Sequence, residues 1–180
     1  MTAQDLQERT GVVTFKGNPV TLQGPALQTG APAPHFALTA SDMAPMNLEA
    51  LVDAGKRAAL LIVVPSLDTS VCSLESQTFN RRLGELPEGV QAWVVSVDLP
   101  FAMARWAAAQ DGNVNLGMLS DYRDHNFGRA YGLYIAELAL LARAIVVIGK
   151  DKNIAYVQIV PEIAQEPDYD TALKAAAAAA

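Results

Sequence analysis

The sequence predicts an α/β protein in which helices flank a mixed central sheet. An apolar run at 58–64 is typical of a strand that is buried on both faces. Segments with strand and helix patterns alternate after this run, as they do in βαβ units. A second apolar run at 144–148, a turn at 149–153 and a returning strand at 154–160 predict a closing hairpin.

The patterns in the first third of the chain predict a hairpin followed by a loop. Residues 1–10 are polar, and we expect them to be loose. Alternating segments on either side of Lys16-Gly17-Asn18-Pro19 predict a β-hairpin. The elements expected before the apolar run are strands at 12–15 and 20–23, a loop at 24–34, a strand near 36–38 and a helix at 48–54.

Helices and strands alternate in the remaining two thirds. Asp98 is expected to cap one helix, with Pro100 in its first turn, and Asp121 is expected to cap a short one. The elements expected after the first apolar run are a helix to about 86, a strand at 90–97, a helix to about 110, a strand at 116–119, a helix at 124–131 and a C-terminal helix from 168.

Length and composition predict one domain over residues 1–180. The net charge of −6, from 13 basic and 19 acidic residues, argues against a nucleic-acid partner, which normally selects a basic face. A single cysteine excludes an internal disulfide and a cysteine-rich zinc site. The two histidines lack metal-binding spacing, so no metal or organic cofactor is expected.

The chain is expected to work in the cytoplasm and away from membranes. Its first residues carry acidic side chains and no apolar core, unlike a signal peptide. Its longest apolar run is about seven residues, far shorter than the ~20 residues that span a bilayer. A reducing compartment also suits a chain with one unpaired thiol.

Cys72 is the most informative residue because it follows the strand 58–64 directly. Phe79, Leu83 and Leu86 recur after it at helical spacing, which places the thiol in the first turn of a helix. Free amide groups and the positive end of the helix dipole favour the thiolate there. The alternative is a buried cysteine that acts as a small apolar filler.

The segment around Cys72 resembles a known family. Pro65-x-x-x-Thr69-x-x-Cys72 resembles the peroxidatic-cysteine motif of the peroxiredoxins, and 64–72 is similar to one branch, the bacterial thiol peroxidases, which are atypical two-cysteine enzymes. Four further segments resemble that branch and follow one another in the same order as in the family: 16–22, 96–102, 142–144 and 166–169. The resemblance therefore covers about residues 12–174.

The resemblance implies a thioredoxin-like fold with an N-terminal hairpin and a catalytic role for several residues. Cys72 would attack the peroxide, Thr69 would hydrogen-bond the thiolate or peroxide, and Pro65 would shield the pocket. Arg143 would polarise both reactants, and Phe101 would line an apolar entrance for substrate. The structural alternatives are a helix cap for Thr69, strand termination for Pro65, a strand-end charge for Arg143 and a core aromatic for Phe101.

Ionisation of the thiol would supply only a small part of the catalysis. A free thiol is a few per cent ionised at neutral pH, so complete ionisation gains roughly 30-fold, or about 2 kcal/mol. Enzymes typically accelerate reactions by at least ~10⁶-fold. Positioning of the peroxide and stabilisation of the departing oxygen must therefore supply the rest.

One position departs from the branch that the sequence resembles. The resolving cysteine of that branch is expected after Arg105-Trp106, and Ala107 stands there. Either the position was changed deliberately, or the chain is a natural one-cysteine variant that an external thiol resolves. The peroxide-reducing half of the reaction is expected to survive, whereas recycling through an internal disulfide and thioredoxin is not.

The resemblance therefore implies a thiol-dependent peroxidase that reduces hydrogen peroxide and organic hydroperoxides. Thioredoxin or another thiol would be the reductant, and the protein would be a homodimer. A second hypothesis is a one-cysteine redox sensor that passes oxidation to a partner through a mixed disulfide. A third is a non-catalytic thioredoxin-like scaffold in which Cys72 is inert.

Overall fold

A computed structural model of the protein describes residues 7–52, 57–110 and 114–180. Eleven strands and five helices lie in these ranges. The strands are β1 Glu8–Phe15, β2 Asn18–Gln23, β3 Ala37–Ala40, β4 Pro45–Asn47, β5 Ala58–Val63, β6 Val90–Ser96, β7 Gly117–Ser120, β8 Tyr134–Ile135, β9 Leu140–Leu141, β10 Ala144–Ile148 and β11 Ile154–Ile159. The helices are α1 Leu48–Val52, α2 Ser70–Arg82, α3 Pro100–Ala108, α4 Asn126–Ala130 and α5 Tyr169–Ala178.

A seven-stranded mixed sheet forms the centre, as the sequence predicts. Its strand order is β11-β10-β5-β6-β7-β3-β4. The strands β5, β6 and β7 run parallel, whereas β10 is antiparallel to β5 and β11 is antiparallel to β10. The expected closing hairpin of β10 and β11 is thus confirmed, and the pairing of β10 with β5 places the start of β10 beside the end of β5.

The residues of β5 alternate between the two faces of this sheet. Leu60 and Ile62 pack on one side with α2, α3 and α5, in the cluster that also contains Cys72. Leu61 and Val63 pack on the other side with α1 and α4. Because both faces are covered, every residue of β5 is buried, which explains why the strand is a continuous apolar run.

A second sheet of four strands, in the order β1-β2-β8-β9, carries the predicted N-terminal hairpin. Its first strand begins at Glu8, so residues 8–10 are paired with β2 rather than loose, and residues 1–6 lie outside the described residues. The helix expected at 48–54 is described only to Val52. The strands that the sequence analysis did not find are the short ones: β4, β8 and β9.

The expected helix cap at Asp98 is wrong. Leu99 occupies the N-cap position of α3, and Pro100 is the first helical residue as predicted. Asp98 instead accepts hydrogen bonds from the segment that precedes Cys72. Asp121 does bind the first turn of α4, where its carboxylate accepts the amides of Phe127 and Gly128, although the N-cap position belongs to another residue.

None of the helices in the described ranges is long and apolar enough to cross a membrane.

Candidate active site

Cys72 lies in the first turn of α2, immediately beyond the carboxyl end of β5. Pro65 is buried where the chain leaves the sheet, and Thr69 occupies the N-cap position of the helix. The first amides of a helix have no acceptor within it, so their positive potential converges on the thiol. The Cys72 side chain is only 1% exposed, and it belongs to the core cluster on this side of the sheet.

Strand pairing brings Arg143 to this thiol. Ala144 lies opposite Val63 in the antiparallel pair of β10 and β5, so Arg143 stands at the end of the strand that leads to Cys72. Arg143 Nη2 lies 3.2 Å from Cys72 Sγ. The guanidinium is therefore within hydrogen-bonding distance of the sulfur, where a cation stabilises negative charge.

The guanidinium of Arg143 donates to three different groups, although the residue is only 1% exposed. Besides Cys72 Sγ, Nη1 donates to Glu75 Oε2 and Nε donates to the carbonyl of Ile163, 3.0 Å away. Burial lowers the pKa of Arg143, but the charges of Glu75 and Cys72 outweigh this effect and raise that pKa overall. Arg143 is therefore a charged, fixed group and not an exposed charge at a strand end.

Glu75 is a member of this cluster that the sequence analysis missed. It is fully buried, and burial raises its pKa to about 7 against the opposing attraction of Arg143. Its Oε2 binds Arg143, whereas Oε1 is buried with no hydrogen-bond partner among the described residues. The signal was available: a carboxylate three residues after Cys72 lies on the same helix face as Phe79 and has to be paired there.

The raised pKa of Glu75 makes stability depend on pH. The folded protein binds this proton more tightly than the unfolded chain, so the stabilisation is fully present below about pH 4.5 and is lost as pH rises through about 7. In Glu75→Gln the side chain stays neutral at every pH, so this loss does not occur. Between pH 4 and pH 8 the unfolding free energy of the parent should therefore fall by about 3 kcal/mol relative to that of the variant. Urea unfolding of both proteins across this range measures the difference.

The difference between the two proteins is the relevant quantity because burial also raises the pKa of Asp121, to about 6, in both of them. Parallel pH profiles of unfolding free energy would contradict a proton on Glu75.

The segment that follows β11 holds Arg143 in place. The amide of Val160 donates to the carbonyl of Arg143, and the carbonyl of Ile163 accepts from its Nε. Glu162 ties this segment to the N-terminal hairpin by accepting from the hydroxyl of Thr14 and from the amide of Gly17. The hairpin therefore buttresses the peptide that fixes the guanidinium.

The loop between Pro65 and Thr69 is held from the next strand. Asp98 accepts the hydroxyl of Ser66 at 2.8 Å and the amide of Leu67 at 2.7 Å. Thr69 is exposed, and its hydroxyl donates to the carbonyl of Ser66, 2.9 Å away, instead of capping α2.

Replacing Asp98 with alanine should change the reactivity of Cys72, although Asp98 binds the loop before the helix and not the thiol itself. The substitution leaves the amide of Leu67 unsatisfied, which should cost about 1–3 kcal/mol of unfolding free energy. A loop that moves by about 1 Å should also slow oxidation of Cys72 roughly 10- to 100-fold. Stopped-flow oxidation and urea unfolding measure the two effects, and Asp124→Ala, an exposed carboxylate, is the control. An Asp98→Ala rate equal to that of the control would refute this role.

Phe101 and Ala107 both lie on α3, but in different surroundings. Phe101 is 67% exposed in the first turn of the helix, so the alternative that it is a core aromatic is wrong. Ala107 is half-buried and packs against the core cluster that contains Cys72. The neighbouring Trp106 donates its indole N–H to Ser73 Oγ, 3.0 Å away, so this end of α3 adjoins the turn that carries the thiol.

A cavity of about 400 Å³ opens between α3 and the loop that leads to α2. Its lining is Ser66, Leu67, Asp68, Asp98, Ala102, Arg105, Trp106 and Ala109. In the described part of the chain, no group of three or more His, Cys, Asp or Glu residues could hold a metal ion. The reactive groups that the fold brings together are the thiol of Cys72 and the guanidinium of Arg143.

The chain is similar in sequence to known proteins over most of its length. Residues 28–173 match the family model described as Redoxin. A thiol peroxidase of Halalkalibacterium halodurans is 46% identical over 167 residues, which cover 93% of this chain and 98% of the relative. A thiol peroxidase of Streptococcus sanguinis is 45% identical over 164 residues, covering 91% of this chain and 98% of the relative.

Solved structures give the same fold. A peroxiredoxin-like protein from Aquifex aeolicus superposes with a TM-score of 0.82 at 40% identity, covering 94% of this chain and 95% of that one. A thiol peroxidase from Chromobacterium violaceum has a TM-score of 0.79 at 22% identity, covering 90% and 93% of the two chains. At 22% identity, this second match shows only that the two proteins share a fold.

Proposed function

Because the chain belongs to the Redoxin family and is a peroxiredoxin-type thiol peroxidase, we propose that Cys72 is the thiolate that attacks the peroxide. The observation that carries this assignment is the contact of 3.2 Å between Arg143 Nη2 and Cys72 Sγ. A charged group that is fixed at the sulfur favours the nucleophilic form. An inert scaffold would not need to bury a guanidinium beside its cysteine.

The reaction that this arrangement supports is reduction of a hydroperoxide by two electrons. The sulfur of Cys72 bonds to the terminal peroxide oxygen, the O–O bond breaks, and the remaining oxygen departs with the bonding pair and takes up a proton. The products are a sulfenic acid on Cys72 and water or an alcohol. Arg143 stabilises the negative charge as it moves from sulfur to the departing oxygen.

Three further residues are assigned to peroxide binding. Thr69 accepts a hydrogen bond from the peroxide, and its own hydroxyl is oriented by the carbonyl of Ser66. Pro65 excludes water at the end of the strand, in keeping with its burial. Phe101 supplies an apolar entrance for organic hydroperoxides, and its 67% exposure leaves the ring free for this contact.

Recycling requires a thiol from another molecule because the chain has one cysteine. We assign the resolving position of the related two-cysteine enzymes to Ala107, and thioredoxin or another thiol to the role of reductant. The protein is proposed to be a single-domain homodimer, and the exposed Leu99 offers apolar surface for the dimer contact. A cytoplasmic location suits the need for a reduced thiol.

A second candidate function follows from the same single cysteine. A sulfenic acid with no internal thiol can pass its oxidation to a partner protein through a mixed disulfide. Such a relay would oxidise rapidly but turn over slowly with small thiols.

Peroxide consumption tests the proposed function. The protein should consume many equivalents of hydrogen peroxide and cumene hydroperoxide with excess dithiothreitol, and Cys72→Ser should consume none. Rapid first oxidation followed by slow turnover would favour the relay. Equal consumption by the two proteins would refute the assignment of Cys72.

A further inference from the structure

One guanidinium lies between two groups that can each carry a negative charge. Arg143 Nη2 contacts Cys72 Sγ at 3.2 Å, and Nη1 donates to Glu75 Oε2. Its Nε donates to the carbonyl of Ile163. Cys72, Glu75 and Arg143 are each no more than 1% exposed, so water does not screen these charges.

Among the described residues, Arg143 is the one cation that acts on Glu75, and the other groups that interact with it are acidic or neutral. Glu166, in the segment before α5, adds negative potential at Glu75. Tyr169, in the first turn of α5, feels the charge of Glu75 in turn. An ionised thiolate and an ionised Glu75 would therefore place two negative charges against the single positive charge of Arg143.

Burial makes this excess charge costly. An unpaired ion in a protein interior costs several kcal/mol, and a buried carboxylate oxygen without a donor adds to that penalty. Glu75 Oε1 is such an oxygen, since no described residue donates to it. A proton on Glu75 removes the penalty and leaves the charge of Arg143 to the thiolate.

We propose that Cys72 and Glu75 together hold one proton in the reduced protein, and that oxidation of Cys72 makes Glu75 release a proton, which balances the proton that the departing oxygen takes up. This inference rests on the proposed function of Cys72. It assigns a proton-storing role to Glu75, which acts through the charge of Arg143 and not by contact with the substrate.

The step balances. The thiolate of Cys72 gives two electrons to the peroxide, forms an S–O bond and breaks the O–O bond, so the hydroxyl moves to sulfur. The departing hydroxide or alkoxide gains one proton and becomes water or an alcohol. Glu75 loses one proton and becomes a carboxylate. Because the sulfenic acid is neutral, Arg143 then pairs with Glu75 alone, which favours the loss of that proton.

Proton uptake during a single turnover tests the proposal. The reduced protein is mixed with stoichiometric hydrogen peroxide in weak buffer that contains a pH indicator, just above neutral pH, where Glu75 facing Arg143 alone loses its proton. Ultraviolet absorbance confirms in parallel that the thiolate is present. We expect close to zero protons taken up per Cys72 oxidised in the parent protein and in Glu85→Gln, an exposed control, and about one in Glu75→Gln.

The outcomes separate this proposal from the function on which it rests. Uptake of one proton by the parent protein, or uptake near zero in Glu75→Gln as well, would overturn the proton store while leaving rapid oxidation intact. Slow oxidation of the parent protein would instead overturn the proposed function.

Infrared difference spectroscopy can be carried out on the parent protein alone, so it does not depend on whether a variant folds. It detects the proton on Glu75 directly. Oxidation of the parent protein should remove the carbonyl stretch of one protonated carboxyl group. An unchanged carboxyl band would contradict the proposal.

Discussion

Replacing Arg143 with lysine is expected to slow oxidation of Cys72 by about 10²- to 10³-fold, the usual effect of losing one donor that stabilises a departing anion. This variant keeps the positive charge but loses the three hydrogen-bond donors that the guanidinium holds in fixed directions. The guanidinium serves Cys72, Glu75 and Ile163 at once, and a compact ammonium on a flexible stem cannot reach all three. Stopped-flow oxidation by hydrogen peroxide measures the change.

Arg82→Lys is the matched control because Arg82 pairs with the exposed acids Glu85 and Asp170 at the far end of α2. It should oxidise at the parent rate. Circular dichroism and urea unfolding show whether Arg143→Lys remains folded. A folded Arg143→Lys protein with the parent rate would mean that the contact with Cys72 is structural only.

Placing a cysteine at position 107 is expected to give the largest increase in turnover with thioredoxin. In Ala107→Cys, oxidation by one equivalent of peroxide should produce an intramolecular disulfide with Cys72. An internal thiol has an effective concentration in the millimolar range or above, so turnover with micromolar thioredoxin should rise about 100-fold. Mass spectrometry of the oxidised protein and a thioredoxin-coupled assay measure both effects.

The neighbouring Ala108 provides the control because it is exposed on the same helix, whereas Ala107 packs towards the cluster of Cys72. Ala108→Cys should form little intramolecular disulfide. Equal behaviour of the two variants would show that position 107 does not correspond to the resolving cysteine.

The features that follow from local patterns were predictable from sequence. The long apolar runs gave β5 and β10 because a strand that is buried on both faces is apolar throughout. The change from an apolar run to helical spacing correctly predicted that Cys72 lies in the first turn of the helix after β5. The contact with Arg143 also depends on the antiparallel pairing of β10 and β5, so its role came from the family resemblance and not from spacing.

The features that were missed depend on contacts between distant segments. Asp98 looked like a helix cap because it precedes Pro100, but its carboxylate serves the loop at Ser66 and Leu67 instead. The helix pattern could indicate that Glu75 is buried and needs a partner, but it could not identify Arg143, which lies 68 positions away. Strands as short as β8 and β9, with two residues each, carry too little periodicity to be recognised.

A single-turnover measurement on the unmodified protein tests most directly whether Cys72 is the thiolate that attacks the peroxide. Reduced protein is mixed with near-stoichiometric hydrogen peroxide in a stopped-flow instrument, and the product is identified by mass spectrometry. We expect oxidation at least about 10³-fold faster than that of free cysteine, with one oxygen added at Cys72 as a sulfenic acid. Oxidation at the rate of free cysteine would contradict the claim and make Cys72 an inert core thiol.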